Sequence, residues 1–247
     1  MKAAKDLFSK QSSAYKKYRP TYPDELYDLI LEHTPGRSAS WDVGCGNGQV
    51  AAYLANHFDE VQATDVSENQ ISLAVRKPNI QYSVGRAEKT NFKDQSIDLI
   101  TVGQAIHWFD HEAFNEEVKR VLKPGGTLAF WCYELSQTSP EIDTVIWEFY
   151  TDKIGSYWAP ERRHIDEHYS TIPFPFEEVR LPDTSLTMKV QWSLDAMEGY
   201  LNSWSSVQKY IQEHHVNPVG PVTEQLAPLW KGTMDVVFPL QLKIGKV

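Results

Sequence analysis

The sequence predicts an α/β fold: a mostly parallel sheet covered by helices on both faces. Three observations carry this. Strand-like apolar runs alternate with helix-like segments from about residue 38 to 132, the rhythm of parallel strands joined by crossover helices. A glycine-rich turn, Gly44-Cys45-Gly46-Asn47-Gly48, joins the first of those strands to a helix. The chain has 247 residues, 41% of them hydrophobic, enough for one such domain with a sizeable core and a small insertion or cap.

The elements follow in order. Residues 24–34 place Leu26, Leu29 and Ile30 on one helical face, after Pro23 and before Pro35-Gly36. Ala39 to Val43 reads as the first strand, running into the glycine turn. Gln49 to Phe58 is helical, Glu60 to Thr64 a second strand ending at Asp65, Glu68 to Val75 helical, and Ile80 to Val84 a third strand. Ile97 to Val102 is a fourth strand. Glu112 to Leu122 is a helix stopped by Pro124-Gly125-Gly126, and Thr127 to Trp131 is a fifth strand. After Cys132 the rhythm breaks. Residues 140–153 read as helical, and residues 155–192 are rich in Pro, aromatic and charged residues. Leu194 to His214 contains a further helical stretch, and Met234 to Lys246 reads as a strand despite Pro239.

Composition narrows the partners. A net charge of -9 lacks the electrostatic footprint of a nucleic-acid binder, though a local basic pocket for a small anion is compatible with it. Two cysteines, Cys45 and Cys132, are too few for a disulfide framework, and no Cys/His spacing resembles a metal site. No apolar run is long enough to span a bilayer and no signal-peptide core is present. These features predict a cytoplasmic chain with no metal, no nucleic-acid partner and no membrane partner. Oligomeric state is not legible.

Glycines at a strand–helix turn let the backbone approach a ligand closely, with the helix N–H groups aimed at it. A dinucleotide fingerprint would place its third glycine where Gln49 stands; the spacing is GxGxG instead. Asp65, with Val66 behind it, ends the second strand roughly 20 residues after the first glycine, the distance at which an acid meets ribose hydroxyls. Arg86-Ala87-Glu88 follows the third strand. A turn and a helix cap explain each feature singly; together they point to a nucleoside site.

On these residues the chain resembles the class I S-adenosylmethionine-dependent methyltransferases, of the methyltransferase type 11 domain. Trp41 to Gly48 resembles their motif I, Asp65 the acid that binds the cofactor ribose, Ala87-Glu88 the segment flanking the adenine, and Leu122 to Leu128 the turn into the fifth strand. Further segments are similar to the trans-aconitate 3-methyltransferase-like group: residues 15–23 (YKKYRPTYP), Ala105 to Asp110, Gly155 to Trp158, Tyr200 to Ser205 and Phe238 to Lys246. The resemblance implies a doubly wound, Rossmann-like, seven-stranded sheet with its last strand antiparallel. It also implies S-adenosylmethionine as cofactor, S-adenosylhomocysteine as product, and a small-molecule methyl acceptor, with a carboxylic acid as the leading candidate. The expected organisation is a single methyltransferase domain over 1–247: an N-terminal lid segment (1–23), a cofactor-binding core (24–132), a substrate-side cap (133–233) and the final strand (234–247).

The expected cofactor residues are Tyr18 and Arg19 on the lid, Asp42, Gly44, Cys45, Gly46, Asp65, Val66, Ala87 and Glu88, with Gln104 and Ala105 at the methionine end. His107 follows the fourth strand and is the candidate catalytic base; a pocket-lining or a structural histidine are the other readings of it. Expected acceptor contacts are His107, Trp108, Tyr157, Trp158, Arg162 and Trp204. Arg162 lies in a stretch that reads equally as an acid-binding cap, since its planar fork suits carboxylates, or as a solvated charge cluster. Trp204 reads equally as core. A non-catalytic S-adenosylmethionine-binding regulatory protein is the alternative function. A nicotinamide-dependent oxidoreductase is disfavoured by Gln49.

Overall fold

Helix α1 (Asp24–Glu32) buries Leu26, Tyr27, Ile30 and Leu31, residues spaced three and four apart on one face. Leu29, expected on that face, lies at its rim. The structure is a computed structural model that describes residues 20–182 and 185–247. Tyr18 and Arg19, expected on the lid, lie outside the described residues.

Strands β1 (Ala39–Val43), β2 (Glu60–Asp65), β3 (Ile80–Val84), β4 (Ile97–Gly103) and β5 (Leu122–Tyr133) pair in parallel in the order β3-β2-β1-β4-β5. β4 is buried along nearly its whole length, as a central strand covered on both faces should be. Between them run α2 (Gln49–Leu54), α3 (Glu68–Ser72) and α4 (His111–Val121). Helices α2 and α3 are shorter than expected because their last turns tighten: His57 N–H donates to Leu54 O at 2.8 Å, and Val75 N–H turns away to Asn47 O at 3.1 Å. Side-chain caps set the starts of α3, from Ser67 to Gln70 N, and of α4, from Asp110 to Ala113 N.

The chain then builds a helical layer: α5 (Pro140–Glu148), a π-turn at Phe149–Lys153, short 3-10 turns at Gly155–Tyr157 and Pro160–Arg162, and α6 (Arg163–Asp166). Strands β6 (Glu177–Glu178) and β7 (Thr187–Trp192) follow, then α7 (Leu194–Asn202), α8 (Ser205–His214), α9 (Val219–Leu226) and β8 (Met234–Lys246). The helical stretch expected over 194–214 is two helices. They break at Trp204, whose extended backbone (φ -72°, ψ 134°) caps α8.

β8 runs antiparallel to β5 and extends the sheet, with β6 at its edge. The order is β3-β2-β1-β4-β5-β8-β6, seven strands on one path, with β7 as an additional strand on β8. The two halves of β8 serve different partners. Met234 to Pro239 pair with β7, and Leu240 to Lys246 pair with β5. Pro239, which has no N–H to donate, stands where the partner changes.

Alternation along the strands feeds two cores. Trp41, Val43, Ile100, Val102, Leu128 and Phe130 face α4 and Tyr169. Leu99, Ala129 and Trp131 face α1, α2 and the helical layer. No helix among the described residues is long and apolar enough to cross a membrane.

Candidate cofactor and acceptor site

Because β1, β2, β3 and β4 run in parallel, the loops after them gather at one edge of the sheet, where ligands bind in such folds. Gly44, Gly46 and Gly48 all take positive φ (65°, 52° and 77°). Gly44 has a second constraint: a Cβ there would sit 2.6 Å from the Ala105 Cβ, so Ala105 packs against the loop from the end of β4. At Gly48 a Cβ would overlap the Tyr82 hydroxyl. Tyr82 was not among the expected site residues; its hydroxyl donates to Val75 O at 2.7 Å.

Asp65 ties two of the loops together. Its Oδ2 accepts from Gly46 N–H at 2.8 Å and its Oδ1 from Ser67 N–H at 2.8 Å. A carboxylate oxygen can accept more than one hydrogen bond, the property by which an acid in this position meets a ribose diol. Beside it, Val66 and Val84 are 40% and 57% exposed, apolar surface of the kind a flat base covers. Val84 was missed because an apolar residue on a strand reads as core. Ala87 is buried, and Glu88 Oε1 accepts from Asp110 N–H at 3.0 Å, fastening the third loop to the start of α4. Cys45 is buried, its N–H donating to Thr64 O at 3.0 Å, and burial raises its thiol pKa.

Two expected cofactor residues turn inward. Asp42 is 1% exposed and accepts from Ala51 N–H at 3.0 Å and from Thr101 Oγ1 at 3.1 Å. It sits under the loop and holds it to α2 and β4. Gln104 has the left-handed backbone (φ 56°) that non-glycine residues rarely take. Its Oε1 accepts from Tyr133 N–H at 2.8 Å, so the side chain extends the pairing of β4 with β5.

The expected acceptor residues divide. His107 lies in a 3-10 turn (Ile106–Trp108), is 4% exposed, and bonds Tyr169 Oη through Nδ1 at 2.8 Å. Burial, with Arg162, His164 and His111 nearby, depresses its pKa, so the ring is neutral. That turn packs against the turn carrying Arg162, and Trp108 stacks obliquely on His107 at 4.7 Å. Arg162 lies over the rings of Trp158 (4.8 Å) and Tyr150 (5.4 Å), and its Nε donates to Tyr150 Oη at 2.9 Å. Trp204 is 3% exposed and packs on Phe149, Tyr150, Trp158 and Tyr200. It walls the aromatic layer from within. Tyr157 points elsewhere, its hydroxyl bonding His214 at 2.5 Å beside an open cleft of about 750 Å³. Tyr150 and Tyr169 were missed, since only the fold brings them to Arg162 and His107.

The comparisons with known proteins bear on the family and the fold. A family model described as a methyltransferase domain matches residues 41–130. A Dictyostelium discoideum protein named "Putative methyltransferase" is 37% identical across 98% of this chain and 95% of its own length. A Saccharomyces cerevisiae protein named "Probable S-adenosylmethionine-dependent methyltransferase" is 28% identical, over 64% of this chain and 59% of its own. The solved structure of a "Putative Type II Methyltransferase" from Anaeromyxobacter dehalogenans superposes with a TM-score of 0.84 at 35% identity, covering 93% of this chain and 98% of that one. With the glycine loop, Asp65 and this sheet order in place, the chain belongs to the class I S-adenosylmethionine-dependent methyltransferases.

Proposed function

We propose that this methyltransferase acts on a small organic acid, transferring the methyl group of S-adenosylmethionine to a carboxylate oxygen. The observation that carries this is Arg162. In a chain of net charge -9, its guanidinium is mostly buried (side chain 19% exposed) among Tyr150 and Trp158. Among the described residues only its Nε makes polar contacts, with Tyr150 Oη at 2.9 Å and the Asp166 carboxylate at 3.7 Å. A charge so enclosed is costly unless paired, and its open edge suits a carboxylate.

The residues that would hold the cofactor are the loop Gly44 to Gly48, Asp65 for the ribose, Val66, Val84 and Ala87 for the base, and Ala105 beside Gly44. Tyr18 and Arg19 are proposed as a lid over it. When bound, the cofactor supplies an activated methyl group whose carbon–sulfur bond breaks, its electron pair staying on sulfur, as the acceptor oxygen bonds the methyl carbon. The protein's part is alignment and exclusion of water. A carboxylate is already ionised at neutral pH and needs no base, which agrees with an enclosed His107 whose depressed pKa makes it a weak one. The resemblance to the trans-aconitate 3-methyltransferase-like group points the same way. Free, buried Cys45 and Cys132 fit a reduced, cytoplasmic setting, and the acidic chain fits a small acceptor better than a nucleic acid.

Labelled S-adenosylmethionine offered with panels of small acids, phenols and amines tests the reading. A hydroxide-labile labelled ester from an acid is expected. Transfer confined to phenols or amines overturns it.

A further inference from the structure

His107 stands where a catalytic base would be expected, and its hydrogen bond says which nitrogen carries the proton. Tyr169 is 1% exposed. Among the described residues its hydroxyl has one hydrogen-bond partner, His107 Nδ1 at 2.8 Å. A buried phenol O–H left without an acceptor costs about 1–3 kcal/mol, and Nδ1 is the acceptor within reach. Burial holds both groups neutral, raising the tyrosine pKa and lowering that of the histidine. The hydroxyl therefore donates to Nδ1, and the imidazole proton is on Nε2.

Backbone conformation fixes this contact. His168 and Tyr169 are consecutive left-handed residues (φ 55° and 56°), a conformation that costs about 1–3 kcal/mol each and persists only where the surroundings enforce it. Tyr169 N–H donates to His164 O at 2.7 Å, and its ring packs 5.8 Å from Phe130. Strain is thus concentrated where the hydroxyl is delivered to His107.

What His107 offers is an N–H, and what stands next to it is a cation. The turn Ile106–Trp108 packs against the turn Pro160–Arg162, and among nearby charges Arg162 acts most strongly on His107, ahead of His164 and His111. Among the described residues the hydrogen bond and the ion pair of Arg162 both run through Nε, on the side of Tyr150 and Asp166, and none runs through its Nη groups. We propose that His107 and Arg162 form an anion subsite for the acceptor's carboxylate, with His107 as an Nε2–H donor, and that Tyr169 is the positioning residue that fixes this tautomer. This rests on the carboxylate reading above and deepens it, replacing a base at His107 with a donor.

The kinetic consequence follows from charge. A carboxylate keeps part of its negative charge in the transition state, so donors to it hold the bound acid and the transition state to similar degrees. His107→Gln and Arg162→Met should raise KM for an acid about tenfold or more with kcat changed by less than about threefold. A base would do the reverse.

Nitrogen-15 NMR of histidine-labelled full-length protein, with His107 assigned from the His107→Gln spectrum, tests the subsite without turnover. The Nε2–H neutral tautomer is expected at pH 7, and Tyr169→Phe should shift it toward mixed tautomers while S-adenosylhomocysteine affinity, the check on folding, is retained. Sodium formate should shift the His107 Nε2 resonance saturably in the wild type and not in Arg162→Met, and formamide should do neither. An Nδ1–H tautomer, an imidazolium, or no response to formate overturns the proposal. The acid panel decides the acceptor class independently of these outcomes.

Discussion

At Gly44 two constraints act on one residue. Its φ of 65° is left-handed, and a Cβ there would lie 2.6 Å from that of Ala105. Gly46 shares the left-handed backbone (φ 52°) but a Cβ on it would meet nothing within 4 Å. The pair separates backbone strain from steric overlap. Gly46→Ala should cost roughly 1–2 kcal/mol, the left-handed penalty alone. Gly44→Ala should cost more, because Ala105 and the end of β4 must also shift. The proposed cofactor would approach through the open space at Gly46, so its alanine variant should also weaken S-adenosylhomocysteine binding at least tenfold. Thermal unfolding and calorimetry check both, and equal unfolding losses for the two variants would contradict the account.

At the scale of elements, Asp42 joins three of them. It belongs to β1, accepts from Ala51 at the start of α2, and accepts from Thr101 on β4. Burial pushes its pKa up to about 7, against the pull of those two hydrogen bonds and with a smaller contribution from the charge of Asp65. The unfolded carboxyl titrates at about 3.9. Between about pH 4 and 7 the folded protein therefore keeps a proton that the unfolded chain releases. Stability from this group is full below the unfolded value and falls as pH rises through the folded one. Asp42→Asn, with its oxygen toward Ala51 N–H and its amide toward Thr101 Oγ1, should flatten that part of the stability profile in denaturant titrations. An unchanged slope between pH 4 and 7 would mean that Asp42 is ionised when folded. The sequence places an acid at this position, but only the depth of β1 in the sheet shows that it faces inward.

Across the whole molecule, the parts legible in the sequence are those with a repeating physical cause. The β–α alternation, the glycine turn and the acid at Asp65 are local patterns, and the fold retains each. β8 was legible over Met234–Lys246 because apolar residues recur there around Pro239. β7 was missed although Met188, Val190 and Trp192 alternate, since charged and aromatic neighbours made the segment read as irregular. The caps and the break at Trp204 depend on single residues and were placed only approximately. The contacts that define the acceptor side are long-range: His107 meets Tyr169 across 62 positions, and no local pattern announces such a pair. For that reason the loop after β4 left the role of His107 open, and Arg162 read equally as solvated.

The central claim, that this edge of the sheet is an S-adenosylmethionine site, is tested most directly by calorimetry of the full chain with S-adenosylhomocysteine and, separately, with NAD. Saturable one-site binding of S-adenosylhomocysteine is predicted, weakened at least tenfold in Asp65→Ala, with no heat from NAD. Tight NAD binding with no response to S-adenosylhomocysteine would contradict it.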